Sequence, residues 1–151
     1  MNEKRALRAD EPGREEGLAR LHRRFGWTSL FVWMTGGLVL ESLHGWKIAT
    51  YLLHPLRREL WILAHFHGAL LAVVNLAYVR WAEAPGLGTS RTLASRALVA
   101  GSVLLPLGFF LGGLQHFEGD PGWGIVLAPL GGLSLLITVF LQTRSAWRRE
   151  P

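Results

Sequence analysis

Two histidines, His65 and His67, lie two residues apart inside an apolar stretch long enough to cross a membrane. Burying an imidazole in a bilayer is costly, so an intramembrane histidine is a functional candidate by default. Successive helical residues turn by about 100°, so these two side chains point about 200° apart. One helix would then present a ligand on each of two opposite sides. This spacing favours two separate sites, such as two haems or a haem and a second polar partner, over a single tetrahedral metal ion.

The segments that position these histidines are long and apolar. Half of the chain is hydrophobic, at 50%, and many of its 18 glycines lie inside apolar runs, a composition typical of membrane helices. Four segments reach the about 20 residues needed to cross a bilayer core of roughly 30 Å. We therefore predict an all-α, integral membrane four-helix bundle. The predicted regions are a charged arm (1–26), a bundle (27–143) with spans at 27–50, 59–80, 93–116 and 124–143, and a basic tail (144–151).

The cationic residues predict how the bundle lies in the membrane. Most of the 16 lysines and arginines lie in the arm, in the link between the second and third spans, or in the tail. On the other side the chain has Lys47, Arg57 and Arg58. Because cytoplasmic segments carry the excess of Lys and Arg, both termini are predicted to be cytoplasmic. We expect a multi-pass protein of the inner (cytoplasmic) membrane, surrounded by lipid and without a nucleic-acid partner.

On these boundaries His44, His65, His67 and His116 gather within roughly one to two helical turns of one level, on three spans. The chain has no cysteine, which excludes disulfides, iron–sulfur clusters and c-type haem attachment. Histidines from different helices suit a haem iron, and helix bundles hold cofactors between facing helices. We therefore expect haem b, one or two per protomer, bound by these four residues, with His44, His65 and His67 as iron ligands.

Two arginines complete the predicted cofactor site. Arg57 and Arg58 lie near the outer end of the second span. Haem propionates need cationic partners, and arginine forms strong charge-assisted hydrogen bonds with carboxylates. We therefore predict that Arg57 and Arg58 contact the propionates.

Residues 63–67, Leu-Ala-His-Phe-His, resemble the helix of haem–copper oxidase subunit I that reads Val-Ala-His-Phe-His. In that family the first histidine ligates the high-spin haem and the second ligates the low-spin haem. The resemblance implies that His67 pairs with His44 on a low-spin haem, within the chain or across a subunit boundary. It also implies that Arg57 and Arg58 correspond to the arginine pair near the propionates.

The chain departs from that family in size and in metal ligands. It has four predicted spans where subunit I has twelve, and it lacks the His-Pro-Glu-Val-Tyr helix and the adjacent His-His pair. Dioxygen reduction is therefore not expected. Subunit I consists of three arcs of four helices, so the resemblance implies that this chain forms one arc and that a homotrimer imitates the whole.

Other polar residues have less specific interpretations. Two polar residues lie inside the predicted spans: Glu41, three residues before His44, and Asn75, in the second span. Each is interpreted either as part of a proton or quinone site or as a hydrogen-bonding residue across the bundle. His22 falls in the charged arm, which is predicted to be solvated or bound to lipid headgroups. For the His65/His67 pair a mixed arrangement is open, in which one ring bonds a backbone carbonyl and the other binds a cofactor.

Three functions remain open on the sequence. The first is a b-type haem protein that transfers electrons, with quinol as a redox partner, or senses a gas. The second is a haem-free structural or assembly subunit of a larger membrane complex, because glycine-lined spans pack closely against neighbours. The third is metal transport through the outer histidines, against which the lack of cysteine and of a polar inner path argues. No enzyme class is indicated.

Overall fold

The computed structural model is all-helical over the residues that it describes, which are 11–82, 88–114 and 119–147. The predicted all-α class is confirmed for these residues, and His116 lies outside them. The elements are α1 (Glu11–Gly45), α2 (Ala49–Leu52), α3 (Pro55–Ala82), α4 (Gly88–Leu114), a 3-10 helix (Trp123–Val126) and α5 (Leu127–Trp147).

Three regions of the described chain are helical, long and apolar enough to cross a membrane: Pro55–Arg80, Arg91–Leu114 and Trp123–Trp147. Continuous helices suit a bilayer because they satisfy their backbone hydrogen bonds internally. These regions indicate a membrane protein. The predicted first span does not reach the same mean hydropathy, because polar residues such as Glu41 and His44 interrupt its apolar ones.

The first long helix differs from its predicted bounds. α1 has 35 residues and runs without a break from the predicted arm into the predicted first span. It ends at Gly45 rather than at residue 50, because the chain turns at Lys47, whose φ of 53° is left-handed. His44 therefore lies in the last turn of α1 and not six residues inside a span.

The four long helices form an open arc. α1 packs on α3, α3 on α4, and α4 on α5. Within the described residues, no Cα atom of α5 lies within 8 Å of a Cα atom of α1 or α3. Neighbouring helices are antiparallel, since Gly26 contacts Leu76 while Gly37 contacts His65. We call the end where α1 begins and α5 ends the terminal end, and the opposite end the loop end.

Glycines set the distance between α4 and α5. A Cβ atom added at Gly131 would clash with the backbone nitrogen of Leu105, and one at Gly108 would clash with that of Ala128. Backbone atoms cannot rotate aside, so a close approach of this kind requires glycine. The adjacent Gly132 faces open space, with nothing within 4 Å of an added Cβ.

Replacing Gly131 with alanine should therefore separate α4 from α5. We expect Gly131→Ala to lower the free energy of unfolding by about 1–3 kcal/mol, the usual cost of overpacking. The thermal midpoint in detergent, followed by circular dichroism, measures this loss. Gly132→Ala is the matched control and should leave the midpoint unchanged or raise it; equal losses in both variants would contradict the assigned interface.

Candidate functional site along α3

His65 is fixed between α1 and α3. Its Nδ1–H donates to the backbone carbonyl of Trp33, with an N···O distance of 2.7 Å. The imidazole lies so close to Gly37 that a Cβ atom there would clash with the ring. In return, the Trp33 ring covers Gly68 of α3. The ring of His65 therefore fills the space between these two helices, and no room remains there for a haem macrocycle.

His67 lies on the other side of α3, toward α4. Its Nδ1–H donates to the carbonyl of Leu63 at 2.8 Å. The ring centroid is 5.2 Å from that of Phe109 and 5.6 Å from that of Phe66, and the residue is half-buried. With the proton on Nδ1, the lone pair of Nε2 is the metal-binding atom.

His44 is not brought beside either of these residues. It is exposed at the loop end of α1. Gly37 lies opposite His65, so His44, seven positions later, is displaced from the level of His65 by about 10 Å. The antiparallel alignment displaces it from the level of His67 by about 13 Å. The two rings therefore do not approach one iron within a protomer.

Arg57 contacts the end of α4. Its Nε donates to the carbonyl of Gly113 at 3.1 Å and its Nη2 to that of Leu114 at 3.4 Å. Its guanidinium lies 5.7 Å from the ring centroid of Trp61. The last carbonyls of a helix lack helical partners and carry negative partial charge, so this contact stabilises α4. Arg58 follows in α3 and is half-buried.

The described residues contain no group of three or more His, Cys, Asp or Glu side chains that could hold a metal ion. A small ion such as zinc needs about four ligands. A haem iron needs one or two protein ligands, because the macrocycle supplies the others.

A buried polar cluster, which the sequence analysis did not predict, joins three helices near the terminal end. It consists of His22, Asn75, Ser95 and Ser102, all at most 2% exposed. The imidazole donates from Nδ1 to Asn75 Oδ1 at 2.7 Å, and its Nε2 is 2.7 Å from Ser95 Oγ. The Asn75 amide donates to Ser102 Oγ at 2.8 Å. The ring of Tyr78 covers the imidazole, with 4.5 Å between centroids.

The placement of His22 in a solvated arm was therefore wrong. Residues 11–26 of the predicted arm are the first part of α1, and this part of the helix places His22 against α3 and α4. An ion pair between Glu15 and Arg91 holds the same part of α1 to α4. The signal in the sequence was Asn75, because an amide inside an apolar span needs a polar partner on another helix.

Burial lowers the pKa of His22 below its ordinary value of 6.5, and the hydrogen bond that His22 donates to Asn75 opposes this shift only in part. His22 precedes the predicted first span, and its direct partners Asn75 and Ser95 are uncharged. The neutral imidazole donates from Nδ1 and accepts from the Ser95 hydroxyl at Nε2. Every ring nitrogen is then satisfied, as a buried polar group requires.

An apolar groove opens between α3 and α5, where their backbones diverge over α4. Its volume is about 510 Å³, within the roughly 300–1,000 Å³ typical of ligand pockets. Leu71 and Val74 line its α3 wall. They follow His67 by four and seven positions, so all three lie on one face of the helix. His67 therefore lies on the groove face of α3, toward the loop end.

Comparison with known proteins gave no match. No protein-family model, no curated protein and no solved structure is similar to this chain. The arrangement of the described side chains is therefore the basis for assigning a function.

The lowered pKa of His22 predicts a loss of stability in acid. The unfolded chain binds a proton at His22 near pH 6.5, whereas the folded chain does so at lower pH. The contribution of His22 is therefore complete above pH 6.5 and falls below it, by at most about 1.4 kcal/mol per pH unit.

Thermal midpoints between pH 7.5 and 5 measure this loss. The variant His22→Gln should be less stable at pH 7.5 and should show a smaller decline in acid. Parallel declines in both proteins would mean that His22 does not couple folding to protonation.

Proposed function

We propose that this chain is a membrane-embedded b-type haem protein in which His67 ligates the iron. One observation carries the proposal: the Nδ1–H of His67 is bound to the Leu63 carbonyl, on a face of α3 that continues into an apolar groove. Histidine ligands of metals usually donate their second ring N–H to a carbonyl or carboxylate, which fixes the tautomer. Phe66 and Phe109 beside the ring supply apolar surface for a macrocycle.

One haem per protomer is proposed rather than two. The chemistry of His65 suits iron, but its ring lies between α1 and α3 and is bonded to the Trp33 carbonyl. Both rings of the pair donate to a backbone carbonyl, and the proposal assigns packing to His65 and ligation to His67. When bound, the haem would supply an iron centre for electron transfer or for a gas ligand.

Whether a second protein residue would ligate the iron decides between those two activities. His44, the predicted partner of His67, lies at a level about 13 Å away. In a cyclic oligomer whose axis is normal to the membrane, all copies share the same levels, so a partner's His44 is displaced equally. We therefore propose that His67 is the single protein ligand. The iron would then keep an open position, which favours gas sensing over low-spin electron transfer.

The membrane arrangement is proposed on charge and exposure. α1 exposes large apolar side chains, among them Phe31, Leu38 and Val39. A bilayer would cover them, which makes α1 the fourth crossing, with both termini in the cytoplasm of a bacterial-type inner membrane. Among the long helices of the described chain α5 contacts α4, and α1 contacts α3 and, less extensively, α4; further copies of the chain would cover the outer faces of α1 and α5. This supports a homo-oligomer, for which the resemblance implies a trimer.

A haem-free structural subunit is the second candidate. This function is favoured because buried polar side chains join the helices: His22, His65 and Asn75 all form hydrogen bonds between helices. Such bonds stabilise helix association in membranes. This function needs no cofactor, and the same exposed helix edges would contact a larger complex.

Absorption spectra of the purified protein, oxidised and dithionite-reduced, test the haem proposal. We expect a Soret band and a high-spin reduced spectrum that changes on addition of carbon monoxide. His67→Ala should lose the haem, because it removes the ligand, whereas His44→Ala should keep both haem and spectrum. His65→Ala should keep the haem and lower the thermal midpoint.

Other spectra would redirect the assignment. A low-spin spectrum that becomes high-spin in His44→Ala would restore the His44–His67 pair. A protein that stays colourless after haem addition would exclude the haem function and leave the structural subunit.

A further inference from the structure

The apolar groove has one polar end. Tyr78, Thr138 and Gln142 line the part nearest the terminal end, while Leu71 and Val74 line the part nearer His67. No charged side chain lines the groove among the described residues. A ligand with one neutral polar end and one apolar end matches this pattern.

The polar end combines a phenol and an amide. The Tyr78 hydroxyl reaches the Arg91 carbonyl at 3.4 Å, a long distance for an O–H···O bond, for which 2.7–2.8 Å is usual. Gln142 lies on the opposite wall and hydrogen bonds with Tyr78. An amide has two N–H donors, so a ligand oxygen would accept the second N–H of Gln142 and lie against Tyr78.

The charge of the groove selects among membrane amphiphiles. Phosphate and carboxylate groups are bound by arginine or lysine, and the described residues that line the groove include neither. Neutral carbonyl and hydroxyl oxygens suit Tyr78 and Gln142. A quinone carries such oxygens on a ring, joined to an apolar tail.

We propose that this groove binds a membrane quinone or quinol. A ring oxygen contacts Tyr78 and Gln142, and the tail extends past Val74 and Leu71 toward the middle of the membrane. Binding rests on the groove alone. Its redox meaning rests on the proposed haem, since the ring would lie beside Tyr78, eleven residues and about 16 Å along the axis from His67.

Photolabelling with an azido-ubiquinone, in competition with decylubiquinone, tests this site. Label should map to peptides that contain Tyr78 or Gln142, and excess decylubiquinone should abolish it. Val74→Trp fills the groove and should reduce competed labelling at least fivefold. Val73→Trp is the matched control, because Val73 is exposed outside the groove; it should label normally. Gln142→Leu should weaken competition by roughly two- to tenfold, the cost of one hydrogen bond.

Two results would overturn the proposal: labelling that decylubiquinone does not compete, or labelling that a phospholipid competes and decylubiquinone does not. Equal thermal midpoints of Val74→Trp and Val73→Trp establish that lost labelling is not lost folding. If Val74→Trp has the lower thermal midpoint, the Gln142→Leu variant provides the test. Competition by decylubiquinone at the wild-type level in that variant would reject the site.

The outcome is separable from the haem test. His67→Ala should bind the quinone as the wild type does, with or without haem. If the protein is colourless but decylubiquinone competes with the label, the quinone site is supported and the haem proposal is rejected. If the protein shows a haem spectrum but decylubiquinone does not compete, the haem proposal is supported and the quinone site is rejected.

Discussion

Close contact between antiparallel helix backbones is the constraint on which the rest of the structure depends. Lipid supplies little hydrophobic force between helices, so association depends on packing and hydrogen bonds. Gly131 against Leu105 sets the α4–α5 distance, and Gly37 against His65 sets the α1–α3 distance. The second contact also decides the chemistry on α3, because an enclosed His65 leaves His67 as the accessible imidazole.

The polar cluster and the groove are linked through one side chain. Tyr78 covers the His22 imidazole with one face and lines the groove, so α3 carries the proposed haem ligand, a wall of the groove and the residues that bind α1. The cluster fixes where α1 lies along α3. Polar side chains used in this way specify a register that apolar packing alone leaves loosely defined.

The sequence predicts the helical class and the opposed directions of His65 and His67, because apolar run length and a 100° turn per residue are local properties. The sequence does not predict features that depend on contacts between residues far apart in the chain. His44 was placed inside a span that ends at Gly45, and His22 in a solvated arm, because a continuous helix across the arm depends on Asn75 and Ser95, far away in sequence. The groove arises from the divergence of α5 and α3, which no motif encodes. Arg57 likewise acquired its α4 contacts through the tertiary fold.

The length of α1 has a mechanical consequence. A helix of 35 residues measures about 52 Å, well beyond the roughly 30 Å of a bilayer core, and no joint divides it. Residues 11–18 of α1 are therefore joined rigidly to the part of the same helix where Gly37 contacts His65. The buried His22 fixes α1 against α3 and α4 between these two parts. Because α1 has no hinge, a partner that displaced residues 11–18 would also displace the part of α1 that contacts α3, the helix that carries His67.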